Sequence, residues 1–287
     1  MGSPRIAVLG SANMDLTTAT TALPAPGETV LGQSFATAQG GKGANQAIAA
    51  ARSGARTVFL GAVGDDAFAD VLITDMQDAG VDTGRLRRVA GPSGIAAITV
   101  DAQGENTIVV VAGANGTVDD VTDDEMAVIA DADILLCQFE IPVSAVLAAA
   151  THAGANDTLV VLNPSPVREI TDALLAVVDV LVVNESEARA IGDGTLERVP
   201  HVVTTLGASG AAYAGRHGSF RTPAPSVDAV DTTGAGDAFT GALAAEWFRG
   251  PRQALRWACA AGAFAATGHG AGASSGTRNQ IAELMGS

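Results

Sequence analysis

Asp237 follows directly on a Gly234-Ala235-Gly236 turn and stands at the start of an apolar helical run. Glycine at positions 234 and 236 lets backbone N–H groups approach a phosphate, and the helix start adds the positive end of its dipole. This arrangement would let the turn bind an anion, and it would place Asp237 beside a phosphoryl group that is being transferred. Glycines followed by an acidic residue also form an ordinary helix cap, so the short pattern alone leaves both interpretations open.

Two longer patterns separate these interpretations. Residues 231–239 read Asp-Thr-Thr-Gly-Ala-Gly-Asp-Ala-Phe, and residues 40–47 read Gly-Gly-Lys-Gly-Ala-Asn-Gln-Ala. The first closely resembles the C-terminal signature of the ribokinase-like, or PfkB, family of sugar kinases, and the second resembles the N-terminal signature of its ribokinase branch. The two stand in the expected order, nearly two hundred residues apart, and such a pair is far more specific than one pattern. The segments 10–16, 24–30 and 64–66 resemble the same branch.

Lys42 lies inside the second pattern and is the only lysine in the chain, against fifteen arginines. A compact ammonium fits between glycines where a planar guanidinium does not, which favours a role at a phosphate or sugar oxygen. The chance survival of one lysine in an arginine-biased composition explains the observation equally well.

The composition, 47% apolar and 16% charged residues, is typical of a globular protein with a large core. We expect a single domain over residues 1–287, with a small appendage. The net charge of −15 argues against a nucleic acid or an acidic membrane as a partner. It does not exclude a nucleotide, because glycine loops and a metal ion can bind phosphates locally.

Cys137 and Cys259 each lie in an apolar segment, which predicts buried, reduced thiols rather than a disulfide or a zinc site. The four histidines are scattered without ligand spacing, so we expect no transition metal. No apolar run approaches the length of a membrane span, and Met1 to Arg5 leads into a strand-like segment without a signal-peptide core. These features predict a cytoplasmic protein.

Short apolar segments alternate with alanine-rich ones, which predicts an α/β fold with a mostly parallel central sheet flanked by helices on both faces. The predicted strands are Ile6 to Gly10, Thr57 to Ala62, Ile134 to Phe139, Leu159 to Asn163, Val180 to Val183 and Val202 to Leu206. The predicted helices begin after Gly43, Asp66, Thr122, Pro142, Thr171, Glu185, Asp237 and Pro251. Many strands end in polar residues or glycine, at 10–13, 138–140, 163–164, 184–185 and 207. Because ligands bind at the carboxyl ends of strands in such sheets, these ends should line one crevice.

Two segments, 13–40 and 94–112, break this alternation and predict β structure without intervening helices. The first includes Glu28-Thr29-Val30 after two prolines, and the second turns at Gln103-Gly104-Glu105-Asn106. In the ribokinase-like family the matching segments form a small β-sheet lid that closes over the sugar and often pairs with a second subunit. The alternative is a pair of surface hairpins with no gating role.

An NAD-binding fold is the main alternative for a chain that starts with a strand and a glycine. It is excluded because Ser-Ala-Asn-Met-Asp follows Gly10, with no Gly-x-Gly-x-x-Gly turn opening a helix. A Walker A loop is also absent from the sequence.

The resemblance implies that the sugar is held by Asn13, Asp15, Gly41, Lys42, Asn45 and Glu140. It also implies that Asp237 binds the sugar's 5-hydroxyl and takes its proton, while backbone N–H groups of the Gly234, Ala235 and Gly236 turn form the anion hole. Amides and carboxylates suit a ribose ring because they make several directed hydrogen bonds. Taken singly, Asn13 and Asp15 are equally well explained as turn caps, and Glu140 as a residue that starts a helix.

Asn184 and Glu187 match the Asn-x-x-Glu motif that the family associates with Mg²⁺ and phosphate, and Glu187 would act on the ion through water. As first-turn acids of a helix, Glu185 and Glu187 have an ordinary explanation too. The resemblance further implies a nucleotide-binding group of Asn184, Thr205, Gly207 and Gly210. It also implies a K⁺ site formed by Asp231, Ser274 and the carbonyls of Thr233, Ala265, Gly268 and Gly270.

The chain departs from the family pattern in two places. Only twenty residues separate Asn184 from Thr205, where relatives carry an additional helix, and residues 270–276 are unusually rich in glycine. Both departures concern the ATP and cation sites more than the sugar site.

The activity that the resemblance implies is phosphorylation of D-ribose at its 5-hydroxyl, with ATP as donor, Mg²⁺ and K⁺ as cofactors, and a homodimer formed through the small sheet. The alternatives are a related kinase of 2-deoxyribose, fructose or a nucleoside, and a sugar-binding regulator without turnover. An intact Asp237 with its two glycines argues against the regulator.

Overall fold

The computed structural model describes residues 2–286, and a large sheet lies at its centre. In the described part of the chain, fourteen strands are formed: Arg5–Leu9 (β1), Asn13–Ala19 (β2), Ser34–Gly40 (β3), Arg56–Val63 (β4), Val81–Asp82 (β5), Leu86–Arg88 (β6), Gly94–Val100 (β7), Asn106–Val111 (β8), Ile134–Gln138 (β9), Leu159–Asn163 (β10), Val180–Asn184 (β11), His201–Thr205 (β12), Ala211–Gly215 (β13) and Gly218–Thr222 (β14). All six strands expected from the apolar runs are among them.

The strand order of the large sheet is β14-β13-β12-β11-β10-β9-β1-β4-β5, and β6 pairs with β4. The pairs from β12 across to β5 are parallel, and only the hairpins β12–β13 and β13–β14 are antiparallel. A parallel sheet needs a covering layer on each face, which explains why its central strands are apolar throughout.

Helices supply both layers. Between residues 2 and 286 they are Lys42–Arg52 (α1), Ala67–Asp78 (α2), Asp123–Asp131 (α3), Val143–Ala155 (α4), Asp172–Leu175 (α5), Glu185–Ile191 (α6), Asp193–Leu196 (α7), Ala235–Glu246 (α8), Pro251–Ala265 (α9) and Arg278–Gly286 (α10). One core packs Ile48, Leu243 and Leu255 against the sheet, and the other packs Ile129 and Val146 against its opposite face. The predicted α/β class is confirmed.

Helices α6 and α9 begin one residue earlier than predicted, and two other helices begin two or three residues earlier. Helix α1 begins at Lys42 and α8 at Ala235, because the glycine before each adopts a left-handed backbone, with φ of 88° at Gly41 and 76° at Gly234. Glycine adopts a positive φ without steric cost, so the chain can reverse direction at this residue and the helix can begin at the next one. At α2, α3 and α5 the predicted starts are correct, since the side chain of the preceding residue caps each helix.

The segments 13–40 and 94–112 form a separate sheet of order β3-β2-β7-β8, which we call the small sheet. The turn between β7 and β8 is closed by Asp101, whose side chain accepts backbone hydrogen bonds from Gln103 and Glu105. The expected strand at Glu28-Thr29-Val30 is wrong, since residues 20–33 cross between β2 and β3 without a strand. Pro24 and Pro26 lack the N–H that a strand ladder needs.

Both cysteines, Cys137 and Cys259, are buried and unpaired, and burial raises the pKa of each thiol. Among residues 2–286, no helix combines the length and apolar character needed to cross a bilayer.

Candidate active site

The turn before α8 is held in place by contact with a distant loop. A Cβ atom at Gly234 would lie 2.5 Å from the Cα of Ala271, and the left-handed backbone there disfavours any side chain. Gly236 differs, because a Cβ at that position meets no atom within 4 Å. The Ala235 N–H donates to the Thr232 carbonyl at 3.2 Å, and the next backbone N–H groups of the first turn of α8 are left to open space on one side.

That open space is a small cavity of about 120 Å³ at the carboxyl ends of the sheet strands. It brings together residues from three strands and three helices, and its lining consists of Lys42, Asn163, Ser165, Val182, Val183, Asn184, Glu187, Thr205, Gly234, Gly236, Asp237 and Thr240. Seven of these are predicted site residues. Larger hollows occur elsewhere on the surface, but neither Asp237 nor the glycine turn lines them.

Asp237 is buried, and each of its carboxylate oxygens accepts a hydrogen bond from α1. Asn45 Nδ2 donates to Oδ2 at 3.0 Å, and Gln46 Nε2 donates to Oδ1 at 2.9 Å. Helices α1 and α8 pack closely because Gly241 of α8 rests on α1, where a Cβ would lie 2.8 Å from Ala49. The two signature motifs therefore meet in space.

Glu140 and Asp15 lie close to Asp237, near the start of α1. Glu140 Oε2 accepts hydrogen bonds from the Ser11 hydroxyl at 2.6 Å and from the Lys42 backbone N–H at 3.0 Å. Burial, and then the negative charges of Glu140 and Asp237, raise the pKa of Asp15 to about 7. Three carboxylates in one cleft thus repel one another, which is unfavourable unless a ligand or a cation shares their charge.

The Lys42 side chain supplies positive charge to the same cleft. Its pKa lies above the usual value, mainly because the Asp237 carboxylate is close, although burial acts in the opposite direction. Glu140 and Glu187 raise this pKa further. Lys42 therefore lies between the carboxylates of the predicted sugar site and the glycine turn before α8. Its ammonium ion can offset the negative charge of these carboxylates and of an anion bound at the turn.

Asn13 and Gly41 form the remaining part of the predicted sugar site. A Cβ at Gly41 would lie 2.7 Å from the Asn13 backbone nitrogen, so glycine is required for this contact. The Asn13 Oδ1 accepts a hydrogen bond at 2.7 Å from Asn115, which is buried and also bonds both backbone groups of Ala12. The Asn13 amide nitrogen is thereby left as the group that faces away from Asn115.

Asn184 and Glu187 form a capping box at the start of α6. Asn184 Oδ1 accepts from the Glu187 N–H and Glu187 Oε2 accepts from the Asn184 N–H, each at 2.8 Å. The ordinary helix-cap explanation therefore holds for both side chains, although both also line the cavity. Capping occupies only Oε2 of Glu187, so its second carboxylate oxygen is not used by the box.

Thr205 lines the cavity at the end of β12, but Gly207 and Gly210 do not. Gly210 has a φ of 97°, and a Cβ there would overlap the Thr222 carbonyl and lie 2.6 Å from the Ala224 nitrogen. This glycine is therefore required by the packing of β13 and β14. The short segment between Asn184 and Thr205 contains the helices α6 and α7 and then enters β12.

The six predicted cation ligands lie together, below the turn that precedes α8. Asp231 accepts hydrogen bonds from the backbone N–H groups of Thr233 at 2.9 Å and Gly270 at 3.3 Å. Burial raises the pKa of Asp231, but these hydrogen bonds outweigh it and hold the pKa below its usual value. Ser274 packs against Gly268, and the Gly268 N–H donates to the Ala265 carbonyl.

The glycine-rich segment 270–276 is closely packed. A Cβ at Gly272 would overlap the Gln39 amide, and one at Gly276 would lie 2.7 Å from the Phe264 ring. Arg52, at the end of α1, donates to the carbonyls of Gly272, Ala273 and Ser275. These glycines are therefore explained by close contacts.

Sequence reasoning missed several residues around Asp237 and Asn13. They are Ser11, Gln46, Asn115, Gln138, Asn163, Ser165 and Thr240. Three of them, Ser11, Gln138 and Asn163, lie at strand ends that were expected to line a crevice, so the signal was present. Nothing in the sequence around Asn115 indicates its contact with Asn13, because that contact joins distant segments.

Known proteins are similar to this chain in sequence and in fold over nearly their whole length. Bacillus subtilis ribokinase is 36% identical over 292 residues, covering 98% of this chain and 99% of the relative. Salmonella typhimurium deoxyribokinase is 32% identical and covers 98% of each chain. The structure of Arabidopsis thaliana ribokinase complexed with ribose and ATP superimposes with a TM-score of 0.91 at 30% identity, over 99% of both chains.

The family model described as pfkB family carbohydrate kinase matches residues 3–278. Together with a cavity that joins a buried carboxylate, a helix-start glycine turn and a lysine, this match assigns the chain's chemistry at the level of the family. The protein is therefore a sugar kinase and belongs to the pfkB family of carbohydrate kinases.

Proposed function

We propose that the protein transfers the γ-phosphoryl group of ATP to the 5-hydroxyl of D-ribose, giving ribose 5-phosphate and ADP. One observation carries the proposal: Asp237 lies where the carboxylate and amide groups of Asn45, Asp15 and Glu140 meet the glycine turn. The relatives named ribokinase, and the neighbour complexed with ribose and ATP, support this choice of substrates.

In this mechanism Asp237 accepts the proton of the 5-hydroxyl as the hydroxyl oxygen attacks the γ-phosphorus. The bond from that phosphorus to the bridging oxygen of ADP breaks as the new bond forms. Backbone N–H groups from Gly234 to Asp237 donate hydrogen bonds to the phosphoryl oxygens and stabilise the negative charge that builds there. The Lys42 ammonium ion adds charge at the same place and offsets the three neighbouring carboxylates.

We place the nucleotide on the far side of the turn, against Asn184, Thr205, Gly207 and Gly210. The Glu187 oxygen outside the capping box fits an Mg²⁺ ion that is held mainly by phosphate and water. When bound, Mg²⁺ would neutralise charge on the phosphates of ATP. The chain's own contribution is to hold Asn184 and Glu187 rigidly at the cavity wall.

The same site could serve a related sugar, and 2-deoxyribose is the first alternative because a deoxyribokinase is also similar over the full length. Fructose, a nucleoside and a regulator without turnover remain further alternatives. Product formation with ATP and Mg²⁺ over a panel of pentoses, hexoses and nucleosides separates them. If a nucleoside or 2-deoxyribose gave the highest kcat/KM, the assignment to ribose would be replaced.

We expect ribose to be used about tenfold to a hundredfold better than 2-deoxyribose, as judged by kcat/KM. A missing hydroxyl leaves a buried polar partner unsatisfied, which costs about 1 to 3 kcal/mol. Asp15→Ala should narrow the gap by impairing ribose more than 2-deoxyribose, and the second sugar is thus the internal control. Equal kcat/KM for both sugars in the parent protein would contradict the prediction.

We also propose a monovalent cation, K⁺, at Asp231 and Ser274 with the carbonyls of Thr233, Ala265, Gly268 and Gly270. The residues suit such an ion, because the Asp231 carboxylate accepts backbone hydrogen bonds from Thr233 and Gly270 and so lies against two of the segments whose carbonyls we assign to the ion. Since Ala271 of this loop packs on Gly234, an ion there would support the turn before α8.

We expect K⁺ to raise both the activity and the melting temperature in Na⁺-free buffer, because an ion that binds only the folded protein stabilises it. Asp231→Ala should weaken both responses. The control is tetramethylammonium, which is too large for a site of this kind. Equal rates and equal melting temperatures in the two salts would remove the cation from the mechanism.

We further propose that two copies pair through the small sheet and that the protein works in the cytoplasm, where ATP is available. Strand β8 lies at the edge of the small sheet and is exposed along its whole length, including Ile108, Val109, Val110 and Val111. A long apolar edge strand favours pairing with another chain. This face therefore suits a second copy of the protein.

A further inference from the structure

The Gln46 side chain bonds the predicted catalytic base and two neighbours at once. Its Nε2 donates to Asp237 Oδ1 at 2.9 Å and to Asn163 Oδ1 at 3.0 Å, and its Oε1 accepts from Gln138 Nε2 at 2.7 Å. Gln46 thus uses both N–H groups and its carbonyl oxygen within the protein. It lies in the N-terminal signature, but the mechanism above gives it no role.

The orientation of this amide is set from the backbone of the central sheet. Asn163 Nδ2 donates to the Val182 carbonyl at 2.9 Å, so Asn163 Oδ1 must face Gln46. An oxygen there requires the nitrogen of Gln46 on that side, which turns the Gln46 oxygen toward Gln138. A flipped Gln46 would place its oxygen against two other oxygens and lose every bond.

Water cannot replace these contacts, because Gln46 and Gln138 are both 0% exposed. The space for Gln138 is made at the end of β1, where a Cβ at Gly10 would overlap the Gln138 amide. Gly43 allows the first turn of α1 to approach the same backbone, since a Cβ there would lie 2.5 Å from the Ser11 nitrogen. Glycines in two of the sequence motifs thus make room for the network.

We propose that Gln46 is a positioning residue that holds the Asp237 carboxylate in the orientation needed to accept the substrate proton. Gln138 acts behind it by fixing the Gln46 amide. The inference rests on the proposed role of Asp237 as the base. It accounts for a buried glutamine that points one donor at a carboxylate and has its alternative orientation blocked.

The charge around Asp237 explains why such a donor is needed. Asp15 from β2 and Glu140 after β9 face the same cleft and oppose a further negative charge, whereas Lys42 from α1 favours it. Glu187 from α6 lines the far wall. The N–H that Gln46 aims at Asp237 Oδ1 fixes the direction in which the carboxylate faces this cleft.

The test is Gln46→Met, which keeps the length of the side chain and removes its donors and acceptor. Under single-turnover conditions we expect the rate of phosphoryl transfer to fall roughly tenfold to a hundredfold, with ribose affinity within about threefold of the parent. A parental rate of phosphoryl transfer would overturn the proposal.

The same change in an Asp237→Asn background distinguishes positioning from general packing. If Gln46 acts through the Asp237 carboxylate, Gln46→Met should cause little further loss there. A loss as large as in the parent would overturn the proposal. An Asp237→Asn single variant with a near-parental rate would instead overturn the assignment of the base, which separates the two failures.

Gln138→Met tests the residue behind Gln46. We expect it to lower the rate of phosphoryl transfer less than Gln46→Met does, and to have no further effect when Gln46 is already replaced. If Gln46→Met does not fold, Gln46→Glu takes its place, since it keeps the shape and sets a like charge against Asp237. We expect more than a tenfold loss of rate with ribose binding retained. A parental rate for Gln46→Glu would overturn the proposal.

Discussion

We expect Asp237→Asn to lower turnover by roughly a hundredfold or more while leaving ribose binding largely intact. The amide keeps the shape of the carboxylate but cannot accept the proton of the attacking hydroxyl. Turnover is measured by direct detection of the phosphorylated sugar, and ribose binding by calorimetry. A near-parental rate would mean that Asp237 is not the base.

The binding measurement matters because the carboxylate is also part of the structure. Asn45 and Gln46 both donate to it, and an asparagine offers only one acceptor oxygen, so one of these hydrogen bonds is lost. We expect a decrease in stability of about 1 to 3 kcal/mol on this account. Asp228→Asn, at an exposed carboxylate before the same turn, is the matched control and should leave turnover unchanged.

We expect Gly236→Ala to lower kcat/KM for ATP by about a hundredfold without lowering stability. The new Cβ meets no protein atom within 4 Å and so fits the folded chain, but it enters the cavity where the phosphate would contact the backbone. In the first turn of a helix, alanine in place of glycine should even add about 0.5 to 1 kcal/mol of stability. Thermal melting and steady-state kinetics on the same sample give both quantities.

Gly234→Ala is the comparison, and here activity and stability should fall together. Its left-handed backbone alone costs alanine about 1 to 2 kcal/mol, and the Cβ would collide with Ala271. If Gly236→Ala had parental kcat/KM for ATP, the turn would be an ordinary helix cap. The contrast between these two glycines separates the two interpretations of the motif.

The sequence by itself determined the family, six strands of the central sheet and the approximate starts of eight helices. The apolar runs that became β1, β4, β9, β10, β11 and β12 are buried on both faces, which leaves no alternating pattern and little ambiguity. Thr122, Thr171 and Asp66 mark helix starts because a capping side chain acts on residues two or three positions away. Such signals are local and can be read along the chain.

Other features depended on contacts between distant segments. Asp15 has a pKa near 7 only because folding buries it beside Glu140 and Asp237. The need for glycine at 234 comes from Ala271 in another loop, and the orientation of Asn13 comes from Asn115.

The amide network around Asp237 shows the same division most clearly. Gln46 is visible in the sequence as part of a motif, but its bonds to Asp237, Asn163 and Gln138 join three further elements. Its orientation is decided by the Val182 carbonyl, which Gln46 does not touch directly. Hydrogen bonds between side chains are short and directional, so only the packing of α1, α8 and the central strands could decide which of these groups would meet.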